Sequence, residues 1–250
     1  MPGALTHGRR PGDEPAYLHE LLELLRVLVV AGVSVGIVAI GLGSRFAMML
    51  LRITSPDHMI GVKSDDGFVI GEATLAGTYN LVELGAGLGF LGAVAYVLVA
   101  PWLVGPTWFR RLTVGLTAGA VVGSQVIHPH GIDFVLLEPR WLAVTLFVGL
   151  PVLVGILLTL AVDAVASPGS RTARGHLRWL LPLVVLLLVP RTLVVLVPLA
   201  LVVAVFLVLR RLVLSRLRAS TVGTLGMRTA FFVIPCLGFL ALGQDLAEDF

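Results

Sequence analysis

The fold of this chain depends on one stretch, "WLLPLVVLLLVPRTLVVLVPLALVVAVFLVLRR", which runs from Trp179 to Arg211. The stretch is apolar almost throughout and is interrupted by charge only once, where Arg191 follows Pro190. If it crosses a membrane twice, each later loop lies on the opposite side from the one it would take after a single crossing. The number of crossings therefore decides where polar chemistry is to be sought.

The composition identifies the class of protein. Of 250 residues, 57% are hydrophobic and only 13% are charged, and the mean hydropathy is +0.99. A soluble domain keeps about 25% charged residues to cover its surface. The sequence therefore predicts an integral membrane protein. Arginine outnumbers lysine 17 to 1, which is typical of a GC-rich bacterial genome and points to the bacterial cytoplasmic membrane. The lone Cys236 excludes a disulfide within the chain.

Five segments outside the opening stretch are long and apolar enough to be predicted as membrane spans. A helix needs about 20 apolar residues to cross ~30 Å of hydrocarbon at 1.5 Å per residue. The five segments are Val27–Leu51, Tyr79–Val99, Leu112–Ile127, Trp141–Val165 and Leu225–Leu242. We predict a cytoplasmic N-terminal segment over 1–26, a helical membrane domain over 27–243 and an acidic tail over 244–250.

The length of the opening stretch fits neither one crossing nor two well. As one helix, Leu180 to Leu209 spans 30 residues, which at the usual rise is about 45 Å and demands an unusually large tilt. As two helices, the first arm, Leu177 to Val189, has 13 residues, or only about 20 Å. Length alone therefore does not decide between the alternatives.

The placement of positive charge favours two crossings, because cytoplasmic loops collect lysine and arginine. With two crossings and a cytoplasmic N-terminus, 13 basic residues lie inside and 5 outside; with one crossing the numbers are 8 and 9, and Arg191 lies within the membrane. Pro190 suits a turn, since it cannot continue helical hydrogen bonding. We predict an all-α protein with seven transmembrane helices, one of them in a short hairpin broken by proline, and an extracytoplasmic C-terminus.

Small residues at four-residue spacing predict how the first spans pack. Glycines at this spacing let helix backbones approach closely in lipid, where no hydrophobic force drives association. They occur in the first three spans: Gly32 and Gly36, Gly85 and Gly89, and Gly115, Gly119 and Gly123. We expect these spans to form a tight bundle; the alternative is that the glycines line a pore or substrate path.

Two extracytoplasmic loops contain the polar residues of greatest interest. In the first loop, "MIGVK" and "FVIGE" flank "SDDG", and an Asp-Gly pair between apolar alternations predicts a small β-hairpin. The second loop holds His128, His130 and Asp133, and His58 is on the same predicted side. Imidazole and carboxylate are ordinary ligands of zinc and similar metals, so these four residues are candidate metal ligands. The alternative is that the histidines only cap or hydrogen-bond within a loop.

Arg45 and Glu83 are charged residues inside predicted spans. Counted from the predicted helix ends, both lie roughly 6–9 Å below the outer surface. Charges at such depth are costly and usually pair, so we expect an ion pair between the two. The pair is interpreted either as a structural link between adjacent helices or as an anion-binding or gating site. Arg191 joins these candidates if the opening stretch crosses only once.

Three stretches, "GLGSRFAMMLL" (41–51), "DDGFVIGEATLAGT" (65–78) and "HPHGIDFVLLEPRWLAV" (128–144), resemble a group of uncharacterised polytopic membrane proteins from GC-rich bacteria. The resemblance covers roughly residues 30 to 165. It implies a multi-pass helical membrane protein and no particular activity, so it assigns no functional residues.

Absent motifs narrow the function. The chain has no phosphate-binding loop ending in Lys-Ser/Thr, no His-Glu-x-x-His and no Gly-x-Ser-x-Gly. We therefore expect no catalytic residues, no cofactor and no nucleic-acid partner. The leading hypothesis is a small-solute-binding or transport-related module, or an accessory subunit, with an outward-facing polar site. The alternatives are a metal-dependent membrane enzyme using the histidine cluster, and a structural partner of another membrane protein or of a second copy of this chain.

Overall fold

The computed structural model describes residues 22–56, 74–126, 139–167, 169–170, 205 and 220–249. Within these residues the chain is all-helical and contains no strand. The five long helices are α1 (Leu22–Thr54), α2 (Leu75–Val99), α3 (Thr107–Val126), α4 (Arg140–Ala166) and α5 (Thr221–Asp249). A 3₁₀ turn, Ala100–Trp102, follows α2.

Four of the five helices, all except α3, are long and apolar enough to cross a membrane. For the described residues, this result confirms the prediction of a helical protein with apolar helices long enough to span a membrane. The helix α3 is less hydropathic because it has Arg110 and Arg111 in its first two turns and several threonines and glycines along its length. The predicted β-hairpin and nearly all of the stretch from Trp179 to Arg211 lie outside the described residues, so neither the hairpin nor a count of seven helices is confirmed.

The helices extend beyond the predicted spans at their ends. The second span was predicted from Tyr79, whereas α2 begins four residues earlier. The reason is Thr74, which has an extended backbone and whose Oγ1 accepts a hydrogen bond from the Gly77 amide at 3.1 Å. A threonine in this position satisfies an amide that the first helical turn leaves unpaired.

The helices α1 and α2 meet along a seam of glycines. A methyl group built on Gly32 would lie 2.8 Å from the Gly89 carbonyl oxygen, and one built on Gly85 would lie 2.5 Å from the Gly36 carbonyl oxygen. Along this seam α1 is wound as a π-helix, over Leu28–Val33 and Gly36–Leu42. The two backbones are therefore in direct contact, as the four-residue spacing predicts.

The glycines of α3 face α4 and not α1 or α2. A methyl group on Gly115 would lie 2.8 Å from both Ile156 Cγ1 and the Val152 carbonyl oxygen, and one on Gly123 would lie 3.1 Å from Val148 Cγ2. The expectation that the first three spans form one tight bundle is therefore confirmed for α1 and α2 and is wrong for α3. Sequence spacing marks a face as small but does not say which helix covers it.

The helix α4 occupies the centre of the described bundle. It packs against α1, α2 and α3, and Leu158 and Val162 join Leu28 and Phe90 in the largest buried apolar cluster. The helix α5 lies at the edge, mainly against α3. Pro151 lies inside α4 and Pro235 inside α5.

Contacts between the helices fix their directions. The helix α4 runs antiparallel to α3, because Gly115 meets Ile156 while Gly123 meets Val148. The helix α5 runs parallel to α3: the Phe109 ring lies 6.5 Å from the Phe232 ring, and further along both helices Ala120 contacts Gly238. The end of α4 and the beginning of α5 therefore lie at the same end of the bundle.

Two exposed tryptophans mark levels that match the boundaries of a bilayer. Trp108 and Trp141 are each 65% exposed, at opposite ends of the antiparallel pair α3 and α4. Gly119 meets α4 between Val148 and Val152, which places the two tryptophans about 20 residue rises, or ~30 Å, apart along the axis. Hydrocarbon is ~30 Å thick and tryptophan prefers its boundaries. We call these two levels the Trp141 end and the Trp108 end.

Candidate functional site

Arg45 of α1 is hydrogen-bonded to the beginning of α2. Its Nε donates to Thr78 Oγ1 at 3.1 Å and its Nη2 donates to the Thr74 carbonyl oxygen at 3.1 Å. Thr78 Oγ1 in turn donates to the same Thr74 carbonyl at 3.0 Å. Both acceptors are uncharged, so the geometry holds the guanidinium in place without neutralising it.

Arg45 lies well inside the membrane boundary at the Trp141 end. Gly43 faces Leu150 of α4, which is nine residues from Trp141, and the two helices are antiparallel. Arg45 is two residues closer to that end than Gly43, so it lies about 10 Å below the level of Trp141. A charge at this depth is expensive and marks a functional site unless a partner compensates it.

The predicted ion pair between Arg45 and Glu83 does not form in the described part of the chain, where Arg45 bonds the two threonines instead. Gly85 contacts both Gly36 and Gly41, and Gly41 contacts Val82, which sets Glu83 level with about residue 40 of α1, roughly 7 Å deeper than Arg45. Glu83 also follows Thr78 by five residues, or about 140° around α2. Counting depth from helix ends was wrong because α1 continues beyond the beginning of α2.

A second polar cluster joins three helices near the Trp108 end. The Tyr96 hydroxyl of α2 donates to Asp163 Oδ1 of α4 at 3.3 Å, and Arg111 Nη2 of α3 donates to Asp163 Oδ2 at 3.1 Å. The Arg111 and Asp163 side chains are 32% and 38% exposed. We call these three residues the clasp, because they tie the ends of α2, α3 and α4 together.

Arg26 of α1 is the most buried of the described charges near the same end. Its side chain is 10% exposed; it pairs with Glu23, one turn earlier, and Nη2 donates to the Val165 carbonyl oxygen of α4 at 3.5 Å. A cation beside the last carbonyls of a helix is favoured by the helix dipole. Arg26 therefore binds α1 to the end of α4.

The remaining predicted site residues lie outside the described residues. These are Arg191 and the four candidate metal ligands, which are His58, His128, His130 and Asp133. Among the residues that the structure does describe, no three His, Cys, Asp or Glu side chains are gathered as a metal site. The metal-ligand hypothesis therefore stays a prediction, and the described helices contain no other candidate metal site.

Sequence reasoning missed the clasp, although a signal was present. Asp163 is the only acidic residue within the predicted span Trp141–Val165, and an acidic residue inside a span needs a partner. The partnership of Asp163 with Arg111 depends on the antiparallel register of α3 and α4, which the sequence does not show.

No protein-family model, curated protein or solved structure matches this chain. The resemblance to uncharacterised polytopic membrane proteins of GC-rich bacteria stays a prediction.

Proposed function

We propose that this chain is a multi-pass protein of the bacterial cytoplasmic membrane that binds a small anionic solute, as a transport-related module or as the accessory subunit of a transporter. Arg45 carries the proposal. Its Cα lies about 10 Å inside the membrane boundary, and its guanidinium is held at the beginning of α2 by two neutral hydrogen-bond acceptors and paired with no carboxylate in the described part of the chain.

The surroundings of Arg45 favour an anion over other ligands. The guanidinium has five N–H donors in a fixed planar arrangement, of which two bonds to Thr74 and Thr78 use only part. The first turn of α2 adds the positive end of a helix dipole at the same level. A carboxylate or a small oxyanion would supply both the missing charge and the missing acceptors.

Anion-dependent stabilisation tests this function. The purified chain in neutral detergent is heated with sodium salts of small carboxylates and oxyanions, at constant ionic strength, with chloride as the reference. We expect at least one anion to raise the unfolding midpoint of the wild type and to leave that of Arg45→Gln unchanged, because binding to the folded state alone stabilises it. Arg45→Lys keeps the charge but loses the planar arrangement of donors, and should respond weakly.

Arg52→Gln is the matched control. Arg52 is exposed, lies two turns further along the same helix and carries the same charge. This variant should respond to anions as the wild type does. An equal response of Arg45→Gln and the wild type, or no response of the wild type to any anion, would refute the assignment to Arg45.

The proposal includes seven membrane crossings, with the N-terminus inside and the C-terminus outside. The parallel arrangement of α3 and α5 supports this topology. Since α4 ends and α5 begins at the same end of the bundle, the chain between them leaves and returns on one side of the membrane. An even number of crossings satisfies that condition, and the hairpin predicted from the sequence between Trp179 and Arg211 would supply two.

A partner protein, if this chain is an accessory subunit, would bind faces other than the glycine seams. Gly36 and Gly85 are covered by each other, and Gly115 is covered by Ile156. The exposed apolar residues of α5 include Leu225, 65% exposed, and Leu240, 63% exposed. Among the described residues, nothing covers these side chains.

A further inference from the structure

Arg110 is a half-buried charge for which the described structure provides no acceptor. Its Nε is fully buried and makes no hydrogen bond, and the guanidinium forms no ion pair with the described side chains. A buried donor without an acceptor costs free energy, and more so when it is charged. Arg111 Nε is also buried and lacks an acceptor, although Nη2 of the same side chain bonds Asp163.

The described charged groups around Arg110 carry a net positive charge. Arg26 is paired with Glu23, and Arg111 is paired with Asp163. Arg110 lies within electrostatic reach of Tyr96, as Arg111 does, and both belong to the first two turns of α3, at the positive end of its dipole. The carboxylate of Asp163 therefore balances only one of two neighbouring guanidinium groups.

The level of Arg110 in the membrane indicates which anion it meets. Arg110 follows the exposed Trp108 by two residues, or about 3 Å along the axis. Tryptophan at this level lies among lipid headgroups, and an arginine just inside the boundary extends its guanidinium outward to them. The negatively charged group at that depth is the phosphate of a lipid, and guanidinium pairs with phosphate in a bidentate geometry.

We propose that the terminal guanidinium nitrogens of Arg110, which are not buried as its Nε is, bind the phosphate group of an anionic lipid headgroup at the Trp108 end. This site is separate from Arg45, which lies near the other boundary. The exposed Arg228 of α5 lies one turn before Phe232, whose ring packs beside that of Phe109. It adds positive charge on the neighbouring side of α3.

Binding of defined lipids to the purified full chain tests the site. Native mass spectrometry in neutral detergent compares phosphatidylglycerol with phosphatidylcholine of the same acyl chains. We expect the wild type to prefer phosphatidylglycerol, and Arg110→Gln to bind it about fivefold more weakly, the loss expected for one basic residue near an anionic lipid. Arg110→Lys should retain most of the preference because it keeps the charge. Since Arg110 makes no internal bond in the described structure, both variants should fold.

Arg52→Gln, with the same charge change near the other boundary, should bind phosphatidylglycerol as the wild type does. If Arg52→Gln and Arg110→Gln weaken phosphatidylglycerol binding equally, the lipid is attracted by the overall positive charge and the site is overturned. Unchanged binding in Arg110→Gln would also overturn the site. Inorganic phosphate is the second arm, measured by the unfolding midpoint. Stabilisation of the wild type by inorganic phosphate, lost in Arg110→Gln, would overturn the lipid as the source and assign the site to a soluble phosphate.

Discussion

Asp163 and Arg45 show two ways in which one fold accommodates a charge inside or beside a membrane. Asp163 lies three residues before the end of α4 and meets both a tyrosine hydroxyl and Arg111, so its charge is compensated within the chain. Arg45 lies deeper and meets only threonine oxygens. In the first arrangement a carboxylate and a guanidinium balance each other, whereas in the second no described carboxylate balances the guanidinium.

The clasp should contribute little to stability. Both partners of the ion pair are about a third exposed, and pairs of this kind are worth less than ~1 kcal/mol because water and salt screen them. A double-mutant cycle of Arg111→Gln and Asp163→Asn, measured by unfolding in detergent, should therefore give a coupling free energy below that value. A coupling of about 3 kcal/mol or more would instead indicate a pair closed off from water, for which removing one partner leaves a buried charge.

The sequence located the charged residues but not their partners. The depths of Arg45 and Glu83 cannot be compared by counting from predicted helix ends, because α1 continues beyond the beginning of α2. Thr74 and Thr78 lie outside the predicted span for another reason, since the Thr74 cap starts α2 earlier than the apolar run does. A cap is a local hydrogen bond that hydropathy does not register.

At the scale of helices, the glycine seam of α1 and α2 determines how closely these elements approach. The spacing of Gly32, Gly36, Gly85 and Gly89 identified the faces correctly, because small residues at four-residue intervals have few other uses in a span. The π-helical winding of α1 was not predictable from the residues, since it depends on hydrogen bonds one residue longer than those of an α-helix.

Substitutions at the seam should have effects of opposite sign from those at exposed glycines. In Gly36→Ala the added methyl group meets the carbonyl group of Gly85, which is backbone and cannot rotate away. We expect destabilisation of about 1–3 kcal/mol, the usual range for overpacking. Gly149→Ala of α4 adds a methyl group into open space and should stabilise the helix, by up to ~1 kcal/mol.

Thermal and denaturant unfolding of both glycine variants in the same detergent measure this difference. If Gly36→Ala is as stable as the wild type, α1 and α2 are further apart than the seam requires. If Gly149→Ala is destabilised to the same degree as Gly36→Ala, that glycine faces a neighbour outside the described residues.

At the scale of the whole molecule, the direction of α5 can be tested directly as membrane topology. Two reporters are fused after residue 170 and before residue 221. One is a phosphatase that is active only outside the cytoplasm, and the other is a protein that fluoresces only inside it. Both positions should report the cytoplasm, and a fusion at the C-terminus should report the outside. Opposite sides at 170 and 221 would mean an odd number of crossings between α4 and α5, and would contradict the parallel packing of α3 and α5.

The arrangement of the described helices also suits the order in which a ribosome produces them. The seam joins α1 to α2, the next helix made, and α4 then finds α1, α2 and α3 already present. The helix α5, the last of the described helices, packs mainly against α3. The described bundle can therefore assemble as it leaves the insertion machinery, with no helix waiting unpaired in lipid for a much later one.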